Sequence, residues 1–295
     1  MTENILIGEV DKESNNIGYS DVVFFGKSEI YHSVLSELKS YENHFQELTL
    51  TYVNEINDPT LIDLCIQRGA IPICIGFNEL IFKSNGDNFI FSNKIRLQDN
   101  VNFLGFQRQL CEVNVITKLE AVSLASFSLG KLSNKILNLE PILRDAWHIH
   151  IDLSVLSSHN APNVIDCKST GLSCESLIQL INFASHSPLF QTLSFKTNNI
   201  NPGYFKQEIE IIATCIWYFL EGLNLGQYKA SDSDERYFVT VDELDQTLIF
   251  IHSLRFNKWW LNLENDEKII ACTFNEYQQT ISGEMPDRIL QKLIS

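Results

Sequence analysis

Short apolar runs alternate along the chain with longer segments in which apolar residues recur every three or four positions. The early runs, rich in Val, Ile and Phe, are Asp21–Gly26, Leu48–Val53, Ile71–Gly76 and Asn102–Phe106, and Ile30–Lys39 is the first segment of helical period. Strand-length runs that alternate with helical segments are typical of a mostly parallel sheet covered by helices. The pattern therefore predicts an α/β fold.

The second half of the chain continues the same alternation. Trp147–Leu153 alternates residue by residue as a strand does, and the most hydrophobic helix is predicted at Glu208–Leu223. The other predicted elements are a helix at Cys174–Ala184, strands at Leu189–Phe195, Gln246–His252 and Lys268–Cys272, and a last helix at Phe274–Ile281. No internal repeat and no Gly-, Pro- or Ser-rich linker divides the sequence, so we expect one domain over residues 1–295.

Charge and composition exclude several classes of function. The chain has 37 acidic against 22 basic residues and a net charge of −15, which would repel a phosphate backbone, so no nucleic acid is expected as a partner. No apolar stretch approaches the roughly 20 residues that span a bilayer, and the first residues lack the basic start of a signal peptide. Seven widely spaced cysteines favour reduced thiols. We therefore expect a cytoplasmic protein without membrane contact.

One strand concentrates side chains capable of chemistry. Alternate strand residues face the same way, so His148, His150 and Asp152 should project together, and two imidazoles and a carboxylate can share a metal ion. The competing interpretation is that these histidines are structural and hydrogen-bonded. Dinucleotide, P-loop and serine-hydrolase motifs are absent. The Trp259–Trp260 pair is either a binding platform or packing at the rim, and packing is favoured.

Several segments also carry the motifs of a known family. Glu140–Ala146 (EPILRDA) leads into His150–Ser154 (HIDLS), with Asn160–Pro162 and Thr170–Leu172 downstream. In order and spacing they resemble the R-D-A-D, S-F-D-x-D, A-P-G and G-L-T/S segments of the ureohydrolases, the family of arginase, agmatinase and formimidoylglutamase. The tail through Lys258–Trp260 is similar to the formimidoylglutamase branch. The resemblance implies a three-layer α/β/α arginase-type fold with a mostly parallel central sheet, and a homo-oligomer.

The resemblance also shows where the family's metal ligands are replaced. Active members hold two manganese ions with a His, an Asp-x-His-x-Asp set and an Asp-x-Asp set, and the metals activate a bridging water. The first His position falls on Asn78 or Glu79, and the Asp-x-His-x-Asp set falls on Ser92–Arg96, which puts Lys94 and Arg96 at ligand positions. Asp152 keeps its place in the last pair. Asn199 stands where the family has the glutamate that grips the substrate.

These replacements lead to a hypothesis about function. One carboxylate does not hold two divalent ions, so Lys94 and Arg96 are expected to neutralise Asp152 in place of the metal. We expect a formimidoylglutamase-like protein without the dinuclear manganese site, without a cofactor and without hydrolase activity: a pseudoenzyme or binding protein. Its pocket would take a small amidine-like or amino-acid ligand and is formed by Asn78, Glu79, Lys94, Arg96 and Asn199.

Two other functions stay open. The first is a C–N hydrolase of a formimino or guanidino compound, which keeps manganese in a remodelled site at His150 and Asp152, with Glu79 as a further ligand. The second is a scaffold that acts through its surface as a subunit of an oligomer. Bound metal distinguishes the hydrolase from the binding protein, and a measurement of molecular size tests the scaffold.

Overall fold

The structure, a computed structural model, describes most of the chain from residue 102 onwards and selected strands and a helix before it. The described residues are 6–9, 22–25, 28–41, 49–53, 72–75, 82–85, 88–91, 95–96, 102–111, 113, 116–117, 126–132, 136–146, 148–165, 167–190, 192–197, 199–201, 203–241, 246–263 and 269–294. No helix within these ranges is long and apolar enough to cross a membrane.

Eight of the described strands form one sheet, and each of their pairings is parallel. These strands are β1 Leu6–Glu9, β2 Val22–Phe25, β3 Thr49–Val53, β4 Pro72–Ile75, β8 Asn102–Phe106, β9 Phe127–Ser128, β10 His148–Asp152 and β11 Thr192–Lys196. From one edge of the sheet to the other their order is β1, β3, β2, β11, β10, β4, β8, β9. The α/β fold predicted from the alternating pattern is confirmed.

Helices pack against this sheet and against the antiparallel sheet described below. The described helices are α1 Ser28–Ser40, α2 Leu129–Leu132, α3 Glu140–Arg144, α4 Cys174–Ser185, α5 Lys206–Leu225, α6 Phe274–Ile281 and α7 Asp287–Ile294, with 3-10 turns at Arg108–Leu110, Ile136–Leu139 and Leu153–Val155. Ser173 caps α4 by accepting the backbone N–H of Ser176. Helix α5 packs against both α1 and α4, and its buried residues join the main hydrophobic core over strands β10 and β11.

The predicted late strands form a separate antiparallel sheet. Its order follows the chain, with β12 Glu235–Val241, β13 Gln246–Ser253, β14 Lys258–Leu263 and β15 Ile269–Cys272. A third, small antiparallel sheet contains β5 Phe82–Asn85, β6 Asn88–Phe91 and β7 Ile95–Arg96. Strands joined by short connections pair antiparallel, because a parallel pairing needs a crossover of a dozen or more residues.

A buried arginine joins the two larger sheets. Arg144, at the end of α3 just before β10, donates from its Nη2 to the carbonyl oxygens of Trp259 at 2.9 Å and Cys272 at 3.1 Å. Its guanidinium lies 4.5 Å from the centre of the Trp260 ring. Since these contacts lie beside the amino end of β10, the antiparallel sheet attaches at the opposite end of that strand from Asp152. Trp259 and Trp260 are 8% and 4% exposed, so the interpretation of this pair as packing is confirmed.

Candidate functional site

The candidate site is built around Asp152, the last residue of β10 and 2% exposed. The chain turns there into the 3-10 helix Leu153–Val155, and the Oδ1 atom of Asp152 accepts the backbone N–H of Ser154 at 2.9 Å. In open parallel sheets, ligands bind at the carboxyl ends of the strands. Asp152 is therefore a buried carboxylate at the end of the sheet where binding sites form.

A lysine on the neighbouring strand lies against this carboxylate. Lys196 is the last residue of β11, and the parallel register places it directly opposite Asp152. Its Nζ donates to Oδ2 of Asp152 at 2.8 Å, and the lysine side chain is 17% exposed. A charge-assisted bond this short to a buried carboxylate is among the stronger polar interactions in a protein.

The third member of the site comes from the loop after β11. Asn199 is 7% exposed, and its Nδ2 donates to Oδ1 of Asp152 at 3.1 Å. Its backbone carbonyl accepts the N–H of Ile165 at 2.9 Å, which ties this loop to the loop after β10. The Oδ1 atom of Asn199 is buried and has no hydrogen-bond partner within the described part of the chain. Asp152 thus receives three N–H donors, and one amide oxygen beside it stays unsatisfied.

The two histidines of β10 are fully buried and meet on one serine. His148 Nε2 and His150 Nδ1 lie 3.0 Å and 2.9 Å from Oγ of Ser194, which also donates to the carbonyl of Ile149. The expectation that these histidines project to the same side is confirmed. Burial, and secondarily the proximity of His150, lowers the pKa of His148 to about 3. His148 is therefore a neutral, hydrogen-bonded residue at neutral pH, as its structural interpretation states.

The structure brings together only part of the predicted site. Asp152 and Asn199 are in direct contact, whereas Asn78, Glu79 and Lys94 lie outside the described residues. The backbone of Arg96 lies in β7 of the small antiparallel sheet, and its side chain is not described. The neutralisation of Asp152 by Lys94 and Arg96 therefore stays a prediction.

Sequence reasoning missed Lys196, the cation that the structure describes beside Asp152. The predicted strand Leu189–Phe195 ends one residue too early, although consecutive strands often pair and Lys196 directly follows that apolar run. Counting forward from the predicted strand starts, Trp147 and Leu189, puts Ser194 opposite Asp152. The observed register begins at His148 and Thr192, and it is this register that places Lys196 there.

The described side chains around Asp152 do not suit a divalent cation as metal ligands. Within the part of the chain that the structure describes, no three His, Cys, Asp or Glu side chains come together as a metal-binding group. An ionised carboxylate offers about four acceptor directions. Three acceptor directions of Asp152 are occupied by N–H groups of Ser154, Asn199 and Lys196. The Lys196 group is an ammonium, which carries a positive charge.

Comparison by sequence finds no relative. No protein-family model matches the chain. No curated protein matches it either. The similarity to known proteins therefore rests on three-dimensional structure.

Comparison by structure finds enzymes with a similar fold. Formimidoylglutamase from Bacillus subtilis matches at a TM-score of 0.55 and 12% identity, over 76% of this chain and 92% of that chain. Trypanosoma cruzi formiminoglutamase with Mn²⁺ matches at a TM-score of 0.53 and 11% identity, over 72% and 97%. An arginase superfamily protein from Trypanosoma cruzi gives a TM-score of 0.50 and 12% identity, over 72% and 96%. The chain therefore shares its fold with the formimidoylglutamases of the arginase superfamily, the family that its sequence motifs resemble.

Proposed function

We propose that this protein is a formimidoylglutamase-like member of the ureohydrolase family that binds a small molecule without a dinuclear manganese site and without hydrolysing it. It would keep the three-layer α/β/α arrangement of the arginase-type fold around its central sheet. One observation carries the proposal: the Lys196 ammonium lies 2.8 Å from Oδ2 of Asp152. By its motif, Asp152 corresponds to a carboxylate that binds metal in the ureohydrolases. A fixed protein cation would then occupy the place of the metal.

Electrostatics opposes a metal at this position. Two unit charges 4 Å apart repel by about 4 kcal/mol at the effective dielectric constant of a protein, so a divalent ion beside an ammonium is disfavoured by about 8 kcal/mol. That repulsion offsets a large part of the attraction from a single carboxylate ligand, and this carboxylate already accepts three N–H donors. Manganese binding at Asp152 would require Lys196 to move away or to lose its proton. Both changes break the described ion pair.

Metal retention after dialysis tests this proposal. We expect the purified protein, incubated with excess Mn²⁺ and then dialysed exhaustively, to retain well under one equivalent. The Lys196→Asp variant would place a second carboxylate opposite Asp152, and we expect it to retain more manganese and to melt at a higher temperature when manganese is present.

Lys206→Asp is the matched control for this variant. Lys206 forms a solvent-exposed pair with Glu210 at 3.6 Å, so the same substitution there adds the same charge without changing the site. We expect the control to retain no more manganese than the unmodified protein. Two equivalents of manganese in the unmodified protein, together with turnover of formimidoylglutamate, would overturn the proposal.

The second candidate function is a C–N hydrolase that uses a remodelled manganese site. The observation that favours it is the position of His150, fully buried and two residues before Asp152 on the same strand. This function requires ammonia, formamide or urea to be released from formimidoylglutamate, agmatine or arginine in the presence of manganese. It also requires that His150→Ala abolish this release.

We further propose that the protein is a cytoplasmic homo-oligomer. Apart from the family resemblance, several large side chains on the described surface support an interface between copies, with Tyr204 84% and Leu225 68% exposed. Light scattering coupled to size-exclusion chromatography tests this proposal. A mass of 33.8 kDa at micromolar concentration would identify a monomer and contradict it.

A further inference from the structure

We propose that Asn199, Asp152 and Lys196 form a subsite for a neutral carboxamide or ureido group, and that the protein selects this group over a cationic amidine. The inference rests on the proposed function, because it takes Lys196 rather than a metal as the cation of the site. It names the chemical class of the ligand, which the proposed function leaves open.

The first observation is the unsatisfied oxygen of Asn199. Its Oδ1 atom is buried without a partner within the described residues, whereas its Nδ2 is fixed by the bond to Asp152. Leaving a buried acceptor unpaired costs about 1–3 kcal/mol in proteins, so such atoms normally meet a water or a ligand. A ligand with an N–H or O–H donor satisfies this oxygen.

The second observation is the charge of the site. Asp152 and Lys196 contribute one negative and one positive charge in direct contact, and Asn199 contributes none. A cationic ligand donating to Asn199 would lie close to the Lys196 ammonium, and an anionic ligand would lie close to the Asp152 carboxylate. These three described residues together therefore give a net attraction to neither charge.

A primary amide or ureido group matches both observations. Its NH₂ can donate to Oδ1 of Asn199 and to the remaining acceptor direction of Asp152, and its carbonyl oxygen can accept from the Lys196 ammonium. The lysine side chain is 17% exposed, so its amino group is within reach of solvent. An amidinium group offers only donors, which leaves the ammonium facing another cation.

Three small molecules of nearly the same shape test the inference. Acetamide, acetamidinium and acetate differ in charge and in their donor and acceptor atoms, and saturation-transfer NMR measures their weak binding to the intact protein. We expect acetamide to bind at least tenfold more tightly than either charged analogue. Equal binding of acetamide and acetamidinium, tighter binding of acetamidinium, or no binding of acetamide would each overturn the inference.

Lys196→Met provides a predicted reversal. It removes the ammonium and leaves the Asp152 carboxylate as the charge of the described site, so we expect the preference to change to acetamidinium by at least tenfold. Lys206→Met is the matched control, because it removes the same charge from a solvent-exposed pair and should keep the preference for acetamide. If Lys196→Met does not fold, Asn199→Leu removes the amide acceptor and should weaken the binding of acetamide at least tenfold. A folded Lys196→Met variant that still prefers acetamide, or a folded Asn199→Leu variant that binds acetamide as tightly as the unmodified protein, contradicts the inference.

The failure of the proposed function and the failure of the subsite alone give different results in the two experiments. Retention of two manganese ions by the unmodified protein overturns the proposed function and removes the basis of the subsite. A protein that holds no manganese but prefers acetamidinium keeps the proposed function and loses the amide subsite alone.

Discussion

Replacing Lys196 with methionine removes the charge that faces Asp152 and keeps most of the lysine stem. The carboxylate then stays buried with two neutral donors, the N–H of Ser154 and the amide of Asn199. At the 2.8 Å separation of Nζ and Oδ2, two unit charges attract by about 6 kcal/mol at an effective dielectric constant of about 20. Partial exposure of Lys196 screens part of this attraction, so we expect the free energy of unfolding to fall by about 2–4 kcal/mol.

A double-mutant cycle isolates the ion pair from other effects of the substitution. Urea unfolding followed by circular dichroism gives the free energy of unfolding of the unmodified protein, Lys196→Met, Asp152→Asn and the double variant. Once Asp152 is replaced by a neutral asparagine, the loss of Lys196 should matter little. We therefore expect a coupling energy of about 2 kcal/mol between the two sites.

Lys206→Met is the control for this cycle. Lys206 and Glu210 are separated by 3.6 Å and exposed to solvent, and such surface pairs contribute about 0–1 kcal/mol. We expect Lys206→Met to change the free energy of unfolding by less than about 0.5 kcal/mol. If Lys196→Met changes it no more than Lys206→Met does, then Lys196 does not neutralise a buried Asp152, and the electrostatic basis of both proposals is refuted.

Two further predictions concern helix packing and pH. A methyl group at Gly222 of α5 would clash with Oγ and Cβ of Ser185, so Gly222→Ala should lower the free energy of unfolding by about 1–3 kcal/mol. A methyl group at Gly130 would meet no atom within 4 Å, so Gly130→Ala should not lower it, and equal effects of the two variants in thermal melts would contradict this packing. Because His148 is protonated more readily in the unfolded chain, it should destabilise the fold as pH falls below about 6.5, by about 2 kcal/mol at pH 5. His148→Gln should remove this loss and His159→Gln, on an exposed side chain, should not; identical pH profiles for the two variants would refute the assignment.

The sequence predicted six of the eight strands of the parallel sheet, because each of these six has a local signature, whereas β1 and β9 were not predicted. The alternation of Trp147–Leu153 corresponds to β10, and the apolar segment at Glu208–Leu223 corresponds to α5 with two residues more at each end. Hydrophobic period is a property of neighbouring residues, so it is readable before the chain folds. The motifs around Glu140–Ala146 and His150–Ser154 are also short stretches of neighbouring residues. Their resemblance to ureohydrolase motifs, and with it the fold, was therefore readable from the sequence as well.

The antiparallel sheet shows where local pattern is insufficient. Gln246–His252 and Lys268–Cys272 were predicted as strands, and β13 and β15 confirm them, but nothing in their sequence distinguishes a separate sheet from the main one. The strand at Glu235–Val241 was not predicted. Which sheet a strand joins depends on which backbone groups it can reach, and that depends on the connections as well as on the strand.

The sequence by itself indicated most of the elements, the resemblance in fold and the place of a carboxylate, Asp152, at the end of a strand. Only the tertiary structure decided what surrounds that carboxylate. Lys196 lies 44 residues away and Asn199 lies 47 residues away along the chain, and both reach Asp152 because β11 pairs in parallel beside β10. Hydrophobic periodicity depends on near neighbours in sequence, whereas the electrostatic environment of a buried group depends on near neighbours in space.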